Sequence, residues 1–276
     1  MIFFPPCRIA LALLSLLLLA GCGARHLQQA QDRFNAAASD ETRMSPTGDL
    51  SYTSPAGLNV YAPALSNYKI ALSLLDKELK DNKAELDSDK LTGVAVALRC
   101  MTLWRISDLD PPGLSKTVTV KDVKDCALGA QADAQAGKFT LGTRDRLLLA
   151  ALPAFIDADQ ARLQTNYPDK SKGFRDSYVV VDDVIKSEPS DHDVKFYLHL
   201  VQVRTLRSWR NAALRVPNDS PLKAAAKSDA AEARAKAESE VCALAPDLDP
   251  LSPRRSFVAK EFQQMAVTPD TANCGG

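Results

Sequence analysis

The chain has 276 residues, and its 34 Lys and Arg are matched by 34 Asp and Glu, for a formal charge of zero at pH 7. That balance gives no support for nucleic acid as a partner, which calls for a basic face. A hydrophobic share of 46% also excludes a disordered composition and leaves room for one large or two small domains.

The first element is an apolar run from Ile9 to Leu19, broken only by Ser15, with Arg8 the only charged side chain before it. A helix that crosses a hydrocarbon core needs about twenty residues. The run is too short for that and has the length of a signal-peptide core. It ends in Leu19-Ala20-Gly21-Cys22, which resembles the lipobox of bacterial lipoproteins. The resemblance implies that residues 1–21 are a signal peptide cut at the Gly21–Cys22 bond. It also implies that the Cys22 thiol receives a diacylglyceryl group and the new amine a further acyl chain. One chain binds membranes marginally and several anchor stably, so a firm tether is expected. In that family an aspartate after the cysteine favours the inner membrane. This chain has Gly23 there, which leans to a bacterial outer-membrane location facing the periplasm. Loss of 21 of the 276 residues leaves 255, with 33 basic and 34 acidic side chains.

Cys7 departs with the signal and Cys22 takes the lipid, leaving Cys100, Cys126, Cys242 and Cys274. In an oxidising compartment four cysteines pair in three ways. If one helix ends near Ser107 and the next begins near Thr119, Cys100 and Cys126 each lie about two turns from the connection. An antiparallel hairpin makes them face, which favours Cys100–Cys126 and leaves Cys242–Cys274 to clip the C-terminal tail to the last long helix. No CxxC or HxxxH spacing supports zinc. No metal and no cofactor are expected.

Residues 22–57 read as a tether with one short helix, Leu27–Ala38, and a polar loop from Ser39 to Gly57. Residues 58–266 read as a string of helices, and 267–276 as a tail. Pro63 suits a helix start, ahead of an apolar stripe at Leu65, Tyr68, Leu72, Leu75 and Leu79. Ser88-Asp89 can cap the next helix, which leads to Trp104. Val120, Val123, Ala127, Ala130 and Ala134 outline a thinner helix ending at Gly137. Thr143 opens another, apolar all round from Leu147 to Leu152 and so buried on most sides, which Pro153 should kink or end.

Phe174, Tyr178, Val181 and Ile185 mark a helix stopped at Pro189. Ser190 caps a long one with two apolar stripes, which implies an inner position. Ser220-Pro221 is a helix-start signal ahead of a seam of Ala226, Ala230, Ala233, Ala237, Val241 and Leu244. The last candidate runs from Arg254 to Ala266. Short β-branched runs at Val118–Val120 and Val179–Val181 have better helical than strand period, so the fold class expected is all-α.

Leu58–Asp108 and Phe174–Arg210 share an order: a tyrosine-bearing helix, a Ser-Asp pair, then a long helix ending in Trp-Arg at Trp104-Arg105 and Trp209-Arg210. Tyr167–Pro189 adds aromatic and small positions leading to a proline. On these residues the body resembles degenerate tetratricopeptide-like helical repeats, a family whose stacked helix pairs present a concave surface to partners. A non-repetitive helical bundle is the alternative. Both tryptophans read as core anchors.

No G-x-S-x-G, P-loop or dinucleotide fingerprint occurs, and no catalytic set is visible, so an enzyme is not expected. His26 reads as tether. His192 and His199 lie two turns apart where a metal pair would prefer one, with Asp191 and Asp193 serving the helix N-terminus. Asp182-Asp183, and Asp247 with Asp249, have no visible partner and read as solvated. Arg204, Arg207 and Arg210 step by three. They suit an anionic ligand or, as the preferred reading, carboxylates on a neighbouring helix. The function expected is a protein-binding scaffold or accessory subunit of an envelope assembly or transporter. The alternative is a small-molecule-binding lipoprotein that serves a solute transporter.

Overall fold

The structure, a computed structural model, describes residues 24–44, 60–110, 118–188, 192–252, 254–265 and residue 274. Gly21, Cys22 and the rest of the lipobox lie outside the described residues, as do Pro189, Ser190 and Asp191. Among the described residues ten α-helices follow one another: α1 (Arg25–Met44), α2 (Ala62–Asp81), α3 (Lys83–Ser88), α4 (Thr92–Leu109) and α5 (Val120–Gln135) come first. Then come α6 (Thr143–Leu163), α7 (Tyr167–Ser187), α8 (His192–Leu214), α9 (Lys223–Ala243), a 3-10 turn (Ala245–Leu248) and α10 (Arg255–Met265). Among the described residues there is no strand, and no helix is long and apolar enough to cross a membrane.

Three elements depart from the sequence expectation, and at a fourth, Pro153, one of the two expected outcomes is set aside, each for a local reason. α1 continues past Ala38 to Met44. Its polar end is held by polar partners rather than by an apolar stripe. Asp40 accepts from Asn67, and Glu41 accepts from the Tyr68 hydroxyl at 2.9 Å. Ser88-Asp89 does not cap α4. The short α3 intervenes, Lys90 turns the chain at φ 59°, and α4 begins after Leu91 without a side-chain cap.

Pro153 does not end α6, which runs on to Leu163. A proline removes the hydrogen bond to the carbonyl four residues earlier, here Leu149. That oxygen accepts from Gln131 Nε2 of α5 at 3.2 Å, so the helix survives its missing donor. Ser220 Oγ accepts from the Leu222 amide, and α9 begins only at Lys223. The cap signal therefore organises the turn before the helix.

α1–α2, α4–α5, α6–α7 and α8–α9 form antiparallel pairs. Within the stack α2, α4, α6 and α8 pack successively on one another, and α1, α5, α7 and α9 flank them. The all-α fold of stacked helix pairs follows from this. α4 is buried almost throughout, with apolar residues from Ala95 to Leu109 on most sides of the helix. Close approach is set by small residues. Ala226, Ala230, Ala233 and Ala237 bury the face of α9 that meets α8. At Gly93, which starts α4, an added Cβ would lie 2.1 Å from the Thr140 carbonyl oxygen. The structure joins Cys100 to Cys126 across α4 and α5, and Cys242 of α9 to Cys274.

Candidate functional site

The inner helices, together with α1, α7 and α10, surround a cavity of about 360 Å³. Its wall is aromatic. Phe34 and Tyr68 meet edge to face with ring centres 5.2 Å apart, and Trp104 and Phe155 lie at 5.2 Å in a tilted pair. Phe174, Phe196 and Tyr197 complete the wall. Seven aromatic side chains, drawn from a chain with nine Phe, two Trp and six Tyr, thus line one space. Aromatic residues carry large apolar surface, and here a part of it borders the cavity.

At one end of the cavity the polar groups close on themselves. Arg105 donates to both oxygens of Glu41 and pairs with Asp108 at 3.0 Å, while its guanidinium lies 4.7 Å from the Trp104 ring centre. Arg162 pairs with Asp108 and lies 3.4 Å from Asp159, whose other oxygen accepts from Trp104 Nε1 at 2.7 Å. Burial pushes the Asp159 carboxyl up, the neighbouring Asp108 charge adds to it, and the two arginines and Trp104 only partly oppose them. The group titrates at about 7. Burial also pushes Asp108 up, but Arg162 and Arg105 outweigh it and hold that carboxyl below its ordinary range. Burial and the Glu41 charge raise the Tyr68 hydroxyl, and burial raises that of Tyr197.

At the other end α8 meets α10. Glu261 is buried, with one oxygen accepting from Arg204 Nε at 2.9 Å and the other from Arg207 Nη1. Lys260 sits beside this group. Burial lowers its ammonium pKa, the Arg204 and Arg207 charges lower it further, and Glu261 only partly offsets them. Arg254 lies over the Phe196 ring at 4.4 Å and pairs outward with Asp193 at 2.7 Å. A second groove of about 390 Å³ adjoins the first and shares Arg162, Phe174 and Ser208 with it.

The residues singled out in the sequence are distributed differently. Arg204 and Arg207 do meet a carboxylate on another helix. His26, read as tether, instead binds α1 to α2 through Nδ1, 2.9 Å from Glu78 Oε2. His199 Nδ1 lies 2.8 Å from Glu240. Asp247, read as solvated, is buried and holds His192, Ser252 and Arg254, and Asp249 accepts from the Leu251 amide. Among the described residues no group of three or more His, Cys, Asp or Glu is placed to hold a metal ion. Trp209 is a fully buried anchor donating to Ser171 at 3.0 Å, whereas Trp104 is buried against the cavity.

Glu41, Asp108, Asp159, Arg162, Lys260 and Glu261 carried no motif. A signal was present all the same: Arg105 with Asp108, and Asp159 with Arg162, are opposite charges three residues apart near the C-terminal ends of two helices with long buried apolar stretches. No family model, no curated protein and no solved structure matches the chain.

Proposed function

We propose that this chain is a lipid-anchored envelope protein that takes a small amphipathic molecule into the cavity between its inner helices. The observation that carries the reading is the cavity, about 360 Å³ and walled by seven aromatic side chains. Ligand pockets span roughly 300–1,000 Å³ and combine an apolar wall with a few fixed polar groups. The polar groups here are held in place by one another, which suits binding rather than turnover. The anchor rests on Leu19-Ala20-Gly21-Cys22 and its resemblance to a lipobox, and with it go the outer membrane and the periplasmic face. Such a protein would deliver or retain a ligand for a solute transporter or envelope assembly.

The chain carrying Cys22→Ala, purified without detergent, should yield a small organic molecule on solvent extraction, with the matching added mass in native mass spectrometry. Ala158→Trp, which fills the cavity from α6, should abolish that added mass while the protein still melts cooperatively. A bare wild-type chain that binds nothing from an amphiphile library would sink the reading. Protein docking is the second reading, favoured by Val179 and Val180, adjacent and exposed on the flanking helix α7. Loss of a crosslinked envelope partner in a Val179→Glu, Val180→Glu variant would support it.

A further inference from the structure

The cavity wall carries six cations, Arg105, Arg162, Arg204, Arg207, Arg254 and Lys260, against four carboxyl groups. The excess is not spread evenly. Around Arg105 and Arg162 the carboxyls of Glu41, Asp108 and Asp159 match or exceed the positive charge. Arg254 is answered from outside the cavity by Asp193 and Asp247. Where α8 meets α10, three cations share one carboxylate. Both oxygens of Glu261 are already taken by Arg204 and Arg207. Lys260 has neither an ion pair nor a hydrogen bond among the described residues, and its ammonium feels both arginines. Three positive charges that share one carboxylate leave a local excess that a bound anion would answer.

Resting on the cavity reading above, we propose that the ligand is an organic acid with an apolar body. Its anionic head binds Lys260 beside Arg204 and Arg207, and its body lies along the wall of Phe196, Trp104 and Phe155. Tyr197 supplies a further donor. It lines the same cavity, interacts electrostatically with Arg105 and Arg204, and its hydroxyl has no hydrogen-bond partner among the described residues. A guanidinium offers five donors in a planar fork. Glu261 uses one from each arginine, so both retain capacity for an acid head.

The test uses the Cys22→Ala chain and three probes with apolar bodies of about nine or ten carbons, namely decanoate, decanol and decyltrimethylammonium, with binding followed by isothermal titration calorimetry. Decanoate should bind about tenfold tighter than decanol, as one charge-assisted contact implies, and the cationic probe should bind weakest. Lys260→Met should weaken decanoate about tenfold and leave decanol unchanged, and Lys260→Arg should retain the preference. Equal binding of the three heads, or no change for decanoate in Lys260→Met, would overturn the acid assignment while leaving the cavity reading in place. Failure of all three probes to bind would overturn both.

Discussion

Asp159 accepts a hydrogen bond from Trp104 and faces Arg162 at 3.4 Å, yet burial and the charge of Asp108 bring its titration to about 7. Between the ordinary carboxyl value of 3.8 and that point, the folded chain holds a proton that the unfolded chain releases. Stability therefore falls as pH rises through this window and levels off above it. Asp108 runs the other way: its contribution is present above the ordinary value and is lost as acid protonates it through its lowered one. Asp159→Asn keeps an acceptor for Trp104 and removes the first slope. Relative to the wild type it should gain on the order of 1 kcal/mol or more between pH 4 and pH 8, since each tenfold change in a protonation equilibrium corresponds to about 1.4 kcal/mol. Melting temperatures across that range check it, and parallel curves for the two proteins would refute it. Gln131 offers a second measurement at this scale. Gln131→Leu leaves the Leu149 carbonyl inside α6 without its donor and should destabilise the fold by about 1–2 kcal/mol in urea unfolding. Pro153 alone suggested a kinked or ended helix, because the side chain that rescues the freed carbonyl belongs to another helix.

α10 is the element on which the site depends most and which the sequence described least. Its period placed it within a residue or two of where it lies, but nothing in Arg254–Ala266 disclosed that Glu261 reaches Arg204 and Arg207. Val258 and Phe262 bury its apolar face, and Cys274, joined to Cys242 of α9, packs against the same core cluster. The loop closed by that bond spans 32 residues, for which chain entropy gives about 3–4 kcal/mol. Replacing both cysteines by serine should lower stability by a comparable amount. It should also raise amide hydrogen exchange in α10 more than in α4, which the Cys100–Cys126 bond ties to α5. Equal protection of α10 in the two proteins would count against any role for the tail in holding the site. α4 carries its own constraint: Gly93→Ala puts a methyl group against the Thr140 backbone and should cost about 1–3 kcal/mol, as overpacking does.

At the scale of the whole molecule, helical period made the all-α stack legible because each helix writes its buried face into its own residues. The cavity was not legible, because Phe34, Trp104, Phe155 and Lys260 meet only after seven elements have packed. Trp104-Arg105 and Trp209-Arg210 looked equivalent in the sequence. In the fold the first pair lines the cavity and the second tryptophan lies in a closed core. Cys22, the site of the proposed lipid, lies outside the described residues, and the helix that follows it reaches the cavity. α1 begins at Arg25, close in sequence to Cys22, and is pinned to α2 near its start by His26 and Glu78. Its cavity residues come later, at Phe34, Ala38 and Glu41. At a rise of about 1.5 Å per residue, Glu41 lies roughly 24 Å along the helix from Arg25. If Cys22 carries the proposed lipid, the anchor joins the fold at the end of α1 away from Phe34, Ala38 and Glu41. Cys22→Ala should therefore move the protein from the membrane to the soluble fraction and leave decanoate affinity within about twofold of the lipidated form, since no cavity contact is removed. Unchanged fractionation would remove the anchor from this account. A collapse of affinity on delipidation would show instead that the bilayer forms part of the binding site.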